Sequence, residues 1–298
     1  MRPLRIGLAQ LDLDALDIEA NVARTMAAIE QAAATGATIV VLPELANTGY
    51  VLDHTLLALA AEEVDADGLA ITAWSTAAAR LDVTVVAGFA ERDGDRLYNS
   101  AVILGPDGAV AAHYRKLHLF AGESDVFTPG DLGLPMAEVA GIQLGVLICY
   151  DLRFPETLRI HAVEGADLVA VPTAWVGGFD RDKEPQEDIG QVRTVRVLAN
   201  LNATPVACAS QVGQTGPFEF LGSSLVVDAF GQDVAPPAAR DAAGVTVADL
   251  DLGQVALART RGDGMSPLTQ RRLDVYDELL GYRPPASATI KPKGARHA

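Results

Sequence analysis

The chain has 298 residues, 49% of them hydrophobic, and a formal net charge of −16. That is ample apolar material for a large core and too acidic a balance for nucleic acid or an anionic membrane surface as partner. Two cysteines, Cys149 and Cys208, form no Cys-x-x-Cys pair and no zinc spacing, and no uninterrupted apolar run is long enough to span a bilayer, which excludes a disulfide scaffold and a transmembrane helix and points to the reducing cytoplasm.

Residues 4–11 read as a buried strand that meets Asp12 and Asp14 too soon to be a secretory signal. An Ala-rich amphipathic helix over 18–34 closes at Gly36, and a second strand over 38–42 stops at Pro43, with Glu44 directly behind it. Helical patterns over 54–64 and 68–81 lead to the strand Val83–Phe89, an Asp93-Gly94 turn and the strand Leu97–Leu104. The turn Gly105-Pro106-Asp107-Gly108 returns the chain as the strand Ala109–Tyr114, which delivers Arg115-Lys116-Leu117-His118-Leu119-Phe120. After the Phe127-Thr128-Pro129-Gly130 turn come a short strand over 136–140 and a central apolar strand from Ile142 to Cys149. From Phe154 the period changes to that of a helix, with Pro155 acceptable in its first turn.

Beyond it the pattern gives a strand over Asp167–Val171, a loop over Pro172–Pro185, a helix near 187–200, the strand Pro205–Gln211, a strand at Leu225–Asp228 and another at Gly244–Asp249, then a helix near 268–280. The segment 282–298 reads as a mobile tail of small and basic residues behind one domain over 1–281. Alternating β and α units mixed with hairpins predict an α/β fold of two mixed sheets, each covered by helices.

Three polar residues follow three separate strands: Glu44, Lys116 and Cys149. Sites in α/β sheets form outside the carboxyl ends of strands, so these side chains meet if their strands are neighbours. Together they suffice for acyl transfer. A thiolate attacks a carbonyl or nitrile carbon, a carboxylate takes and returns the proton, and an ammonium stabilises the oxyanion. Of 23 lysines and arginines only four are lysines, one of them at position 116, and a compact point charge suits a small oxyanion pocket better than a planar fork. The alternatives are a core cysteine, a solvated loop lysine and a helix-start acid. A papain-like pair with His118 or His161 as base is a further possibility, without that family's local signature around the cysteine.

The blocks Pro43-Glu44 with Thr48-Gly49-Tyr50, Tyr114-Arg115-Lys116-Leu117-His118-Leu119-Phe120, and Cys149-Tyr150-Asp151-Leu152-Arg153-Phe154-Pro155-Glu156 resemble, in order and spacing, the three catalytic blocks of the nitrilase superfamily of carbon–nitrogen hydrolases. The resemblance implies a four-layer αββα sandwich and a catalytic set of Glu44 as base and acid, Lys116 as oxyanion stabiliser and Cys149 as nucleophile. It makes Glu123 the second glutamate, orienting Lys116. It further implies no metal or organic cofactor and association into a homodimer or larger assembly, the helix after Cys149 contributing to the interface.

The segment after Cys149 looks most like amidases acting on deaminated glutathione and on ω-amides of dicarboxylic acids. On that reading Arg153 pairs with a substrate carboxylate or, alternatively, with Glu156. Tyr50, Tyr150 and the run Thr173-Ala174-Trp175 fall where the family places substrate contacts, and the loop Val176–Glu187 reads as a pocket wall. The expected reaction is hydrolysis of a small amide to carboxylate and ammonia. An N-carbamoyl amide hydrolase, a nitrilase and a non-catalytic binding relative are the alternatives.

Overall fold

The structure, a computed structural model, describes residues 3–64, 68–178 and 189–279. Thirteen strands and seven helices are seen among them. The first sheet has the order β13 (Gly244–Leu250), β1 (Leu4–Gln10), β2 (Ile39–Val41), β3 (Thr84–Asp93), β4 (Arg96–Leu104), β5 (Val110–Arg115). The second has the order β12 (Leu225–Val227), β9 (Val206–Ser210), β8 (Leu168–Thr173), β7 (Ile142–Val146), β6 (Met136–Val139). In each sheet the three consecutive strands joined through helices run parallel, β1-β2-β3 and β7-β8-β9, and antiparallel strands flank them.

Side-chain alternation builds the layers. On β1, Ile6 and Leu8 face the second sheet while Ala9 faces outward, and on β2 Ile39 and Val41 face in while Val40 faces out. The inner faces meet Leu144, Val146, Leu168, Ala170, Ala207 and Ala209 of the second sheet in one continuous core. The outer face of the first sheet is covered by α1 (Ile18–Ala34) and α3 (Leu69–Leu81) through Ala28, Ile29, Ala32, Ile71 and Trp74. The second sheet is covered by α4 (Pro155–Glu164) and α5 (Gly190–Asn202) through Leu158, Val195 and Leu198. Strands covered on both faces need unbroken apolar runs, which is why β2 and β8 read Ile-Val-Val and Leu-Val-Ala-Val-Pro-Thr. The αββα expectation is borne out.

Several boundaries moved. The central strand ends at Val146, three residues before Cys149, which opens a 3₁₀ turn over Cys149–Arg153 instead of closing the strand. β3 runs on to Asp93 because it pairs with β4 down to Asp93 opposite Arg96. Two elements were not foreseen: the hairpin of β10 (Val212–Thr215) and β11 (Phe218–Leu221), and α6 (Gly253–Arg259). The helix expected near 268–280 is α7 (Leu273–Leu279), and that over 54–64 is the shorter α2 (His54–Ala60). The expected tail 282–298 and most of the Val176–Glu187 loop lie outside the described residues.

The two sheets are tied together at the carboxyl ends of their parallel strands. Leu11 bridges Gln211, the Glu44 N–H donates to Thr173 O at 3.3 Å, and Gln211 Nε2 donates to Glu44 O at 2.7 Å. Those bonds close the sandwich where the polar residues collect.

Candidate active site

Glu44 is placed by a crossing of backbone over backbone. After β2 the chain passes over β3, with Gly88 N–H donating to Pro43 O at 3.2 Å and Ala46 N–H to Gly88 O at 2.7 Å. A Cβ on residue 88 would stand 2.6 Å from Glu44 Cα and 2.7 Å from Pro43 O, so only glycine admits this approach. Lys116 follows β5 and is held by its own N–H to Asn99 O at 2.8 Å and by Gly130 N–H to its carbonyl at 2.9 Å.

Cys149 has φ +43°, a left-handed conformation rare for a residue with a side chain and held only where the surroundings enforce it. Asp151, fully buried, supplies that enforcement. Its carboxylate accepts from Ile148 N–H at 3.0 Å, from Tyr114 Oη at 2.7 Å and from His118 N–H at 3.1 Å, with His118 Nδ1 at 2.8 Å. One carboxylate thus joins the nucleophile turn to β5 and to the loop after Lys116.

The three strand-end residues converge. Lys116 Nζ lies 2.6 Å from Glu44 Oε1 and 2.9 Å from both oxygens of Glu123, and all three side chains are buried. The two carboxylates differ in how they are satisfied. Glu123 accepts twice from Lys116, once from Tyr50 Oη at 2.7 Å and once from Phe120 N–H at 2.9 Å. Glu44 accepts from Lys116 and from Asn99 Nδ2 at 2.8 Å, both on Oε1, and its Oε2 is buried without a hydrogen-bond partner among the described residues.

Burial raises the Glu44 carboxyl above the usual carboxylate range, Glu123 pushes the same way, and Lys116 and Asn99 pull it back. Burial alone would depress Lys116, but Glu123 and Glu44 outweigh it and hold the ammonium well above an ordinary lysine. The Cys149 thiol is raised by burial and by Glu44, against the pull of Lys116 and of a hydrogen bond from Ala174 N–H. At rest, therefore, the sulfur keeps its proton and the adjoining carboxylate is the group suited to take it.

Cys149 is half-buried and opens onto a narrow pocket of about 40 Å³, lined by Tyr50, Phe120, Tyr150, Leu152, Arg153, Ala174, Trp175, Val176, Gln191 and Thr194. The structure brings together Glu44, Lys116, Glu123 and Cys149, and puts Tyr50, Tyr150, Arg153, Ala174 and Trp175 on the pocket wall. Thr173 is not on that wall. Its hydroxyl donates to Ala209 O at 3.1 Å and its carbonyl receives Glu44 N–H; β8 ends there, and Ala174 and Trp175 just beyond it enter the pocket. Neither His118, stacked on Phe154 with 3.6 Å between ring centroids, nor His161, bonded to Val146 O and depressed by burial to about 4, lines the pocket. A cysteine–histidine pair is not formed. No group of metal-ligating side chains occurs among the described residues.

Sequence reasoning missed Asn99, Asp151 and Gln191. The first had a signal, since Asn99 and Ser100 interrupt an otherwise apolar strand, and a buried polar pair in such a place needs a partner.

Comparison with known proteins agrees with this geometry. The family described as carbon–nitrogen hydrolase matches residues 5–260. A nitrilase of Pyrococcus abyssi is 34% identical over 84% of this chain and 90% of its own length. An omega-amidase of Danio rerio is 31% identical over 93% of this chain and 97% of its own. Among solved structures, a mutant of the amidase from Nesterenkonia sp. AN1, showing covalent addition of the acetamide moiety of fluoroacetamide at the active site cysteine, superposes with a TM-score of 0.77. It is 26% identical, over 92% of this chain and 96% of that one. By sequence over nearly its whole described length, and by fold, the chain belongs to the carbon–nitrogen hydrolase family and is a hydrolase of non-peptide carbon–nitrogen bonds.

Proposed function

We propose that the chain hydrolyses a small primary amide to a carboxylate and ammonia through an acyl-enzyme on Cys149. The observation that carries the assignment of roles is the asymmetry of the two glutamates. Glu123 has its oxygens filled by Lys116, Tyr50 and Phe120, whereas Glu44 keeps one oxygen, Oε2, without a hydrogen-bond partner among the described residues. Glu44 is the proton carrier, and Glu123 fixes Lys116.

In the first half-reaction the Cys149 proton passes to Glu44 as the sulfur bonds to the amide carbon. Negative charge moves onto the carbonyl oxygen, where Lys116 Nζ stabilises it. Protonating Glu44 weakens its hold on Lys116 and frees an N–H for that oxygen. Glu44 then gives its proton to the leaving nitrogen, the C–N bond breaks and ammonia departs, leaving a thioester. Water attacks the thioester with Glu44 taking its proton, the C–S bond breaks, and the proton returns to the sulfur as the carboxylic acid leaves and gives its own proton, through water, to the ammonia. The sum is amide plus water to carboxylate plus ammonium.

The amide reading is preferred over carbamoyl or nitrile substrates because two of the relatives compared act as amidases by name. The experiment is release of ammonia and carbon dioxide from carboxyl-bearing amides, neutral aliphatic amides, N-carbamoyl amino acids and nitriles. Ammonia without carbon dioxide is expected; both gases from the carbamoyl compounds would replace the reading. A preference for carboxyl-bearing amides, lost in Arg153→Leu, is the outcome expected if that side chain pairs with a substrate carboxylate. The reading is completed by a cytoplasmic setting, in keeping with two free cysteines, and a homo-oligomer formed through α4 and α5. The outer faces of those helices expose Ile160, Val163, Val197 and Leu201.

A further inference from the structure

Resting on the amidase reading, we infer that Gln191 recognises a neutral hydrogen-bond donor, a hydroxyl or an N–H, on the acyl part of the substrate. Gln191 is the second residue of α5, is 91% buried, and lines the same narrow pocket as Cys149. Its side-chain amide is oriented by the protein, since Nε2 donates to Val176 O at 3.1 Å. That contact decides which end of the amide is which and turns the carbonyl oxygen, Oε1, the other way. Oε1 is buried and has no hydrogen-bond partner among the described residues.

A buried acceptor left unmet costs free energy that a bound donor recovers. Two other polar groups of the wall already have partners: Tyr50 Oη donates to Glu123 and Thr194 Oγ1 to Gly190 O at 2.9 Å. The rest of the wall is dominated by aromatic and aliphatic side chains, Phe120, Leu152, Ala174, Trp175 and Val176, which give packing but no direction. An unmet acceptor in such a wall is a feature that sets orientation.

The sign of the local field narrows the class of donor. The first turn of α5 presents the positive end of the helix dipole, which disfavours an ammonium beside Gln191 and leaves neutral donors. Gln191 and Cys149 line the same narrow pocket, so a substituent at Gln191 and the carbonyl at Cys149 are a few bonds apart. The substrates that fit are amides bearing a hydroxyl or N–H on the second or third carbon.

Matched pairs test this: 2-hydroxypropanamide against 2-methylpropanamide, and 3-hydroxybutanamide against 3-methylbutanamide, each compared by kcat/KM for ammonia release. The wild-type enzyme is expected to favour the hydroxyl member of at least one pair by about tenfold or more. In Gln191→Met, similar in volume and without the acceptor, that preference falls to near unity. Gln191→Glu retains an acceptor but loses the donor to Val176, so it keeps the preference if Gln191 acts on substrate and loses it if the residue serves only to hold Val176. A wild-type ratio near unity in both pairs, a ratio that survives Gln191→Met, or its loss in Gln191→Glu overturns the inference while leaving the amidase reading intact. Absence of ammonia from every amide overturns both.

Discussion

At the scale of single residues, the site works by placing three ionisable groups and a thiol where water cannot satisfy them separately. Two carboxylates share one ammonium, so the less satisfied one, Glu44, is pushed toward its protonated form by burial first and by Glu123 second. Asn99 is one of the contacts that oppose this push, through Nδ2 on Glu44 Oε1. Removing it in Asn99→Ala raises the Glu44 carboxyl further. Activity requires the ionised carboxylate, so the acid limb of kcat/KM against pH moves to higher pH, and the variant loses activity sooner on acidification while its plateau falls less. A pH–rate profile measured on one amide checks this. An acid limb unmoved, or moved down, would remove Asn99 from the positioning of Glu44.

These residues were unequally legible in the sequence. Glu44, Lys116 and Cys149 each come within three residues of a strand's end, a local pattern. Asn99 and Asp151 act through partners 55 and 37 residues away, Glu44 and Tyr114, and such pairing is fixed by tertiary register. Thr173 and Ala174 are neighbours with opposite duties, and the end of β8 falls between them.

At the scale of elements, the site depends on strands that approach more closely than ordinary side chains allow. The passage of Pro43-Glu44 over Gly88 is one of these contacts. Gly88→Ala sets a methyl against main chain, which cannot rotate away, and is expected to cost about 1–3 kcal/mol of stability. Because the atom it strikes is Glu44 Cα, kcat should also fall by at least about tenfold, as a misplacement on the order of an ångström costs that or more. Thermal unfolding and steady-state kinetics on the same preparation decide it; a stable variant with unchanged kcat would show that the crossing does not set Glu44.

The hairpin β10–β11 shows why some elements escaped the sequence. Its strands are four residues each, interrupted by Gly213 and polar Gln214 and Glu219, so period-two alternation is too short to stand out. The signal available was Gly216-Pro217 between Thr215 and Phe218, with Gly216 at φ +55°. Its consequence is functional. Phe218 and Phe220 pack edge-on against Tyr50 at 5.1 and 5.9 Å between centroids, and Leu221 N–H donates to Trp175 O at 2.8 Å, so this hairpin buttresses the pocket wall from behind.

At the scale of the whole molecule, two sheets meet with their carboxyl-end loops facing one another, and the proposed catalytic set is divided between them. Glu44 and Lys116 come from the first, Cys149 from the second, and Gln211 and Thr173 bind Glu44 across the joint. The alternation of apolar strands made this architecture readable in outline, whereas the covering of the outer helices was not, because exposed apolar side chains look alike whether or not a partner seats on them. If α4 and α5 form the proposed interface, Val197→Glu with Leu201→Glu lowers the mass found by light scattering from a multiple of 31.2 kDa to that of one chain. A wild-type protein already at one chain's mass would end that proposal.

The most direct test of the central claim is ammonia release from a simple amide such as propanamide by the wild-type enzyme and by Cys149→Ala, with carbon dioxide followed in parallel. The account predicts steady ammonia without carbon dioxide from the wild type, and from the folded variant a rate lower by more than about a thousandfold. Ammonia from Cys149→Ala at a rate near that of the wild type would contradict an acyl-enzyme on this cysteine, and with it the roles given to Glu44 and Lys116.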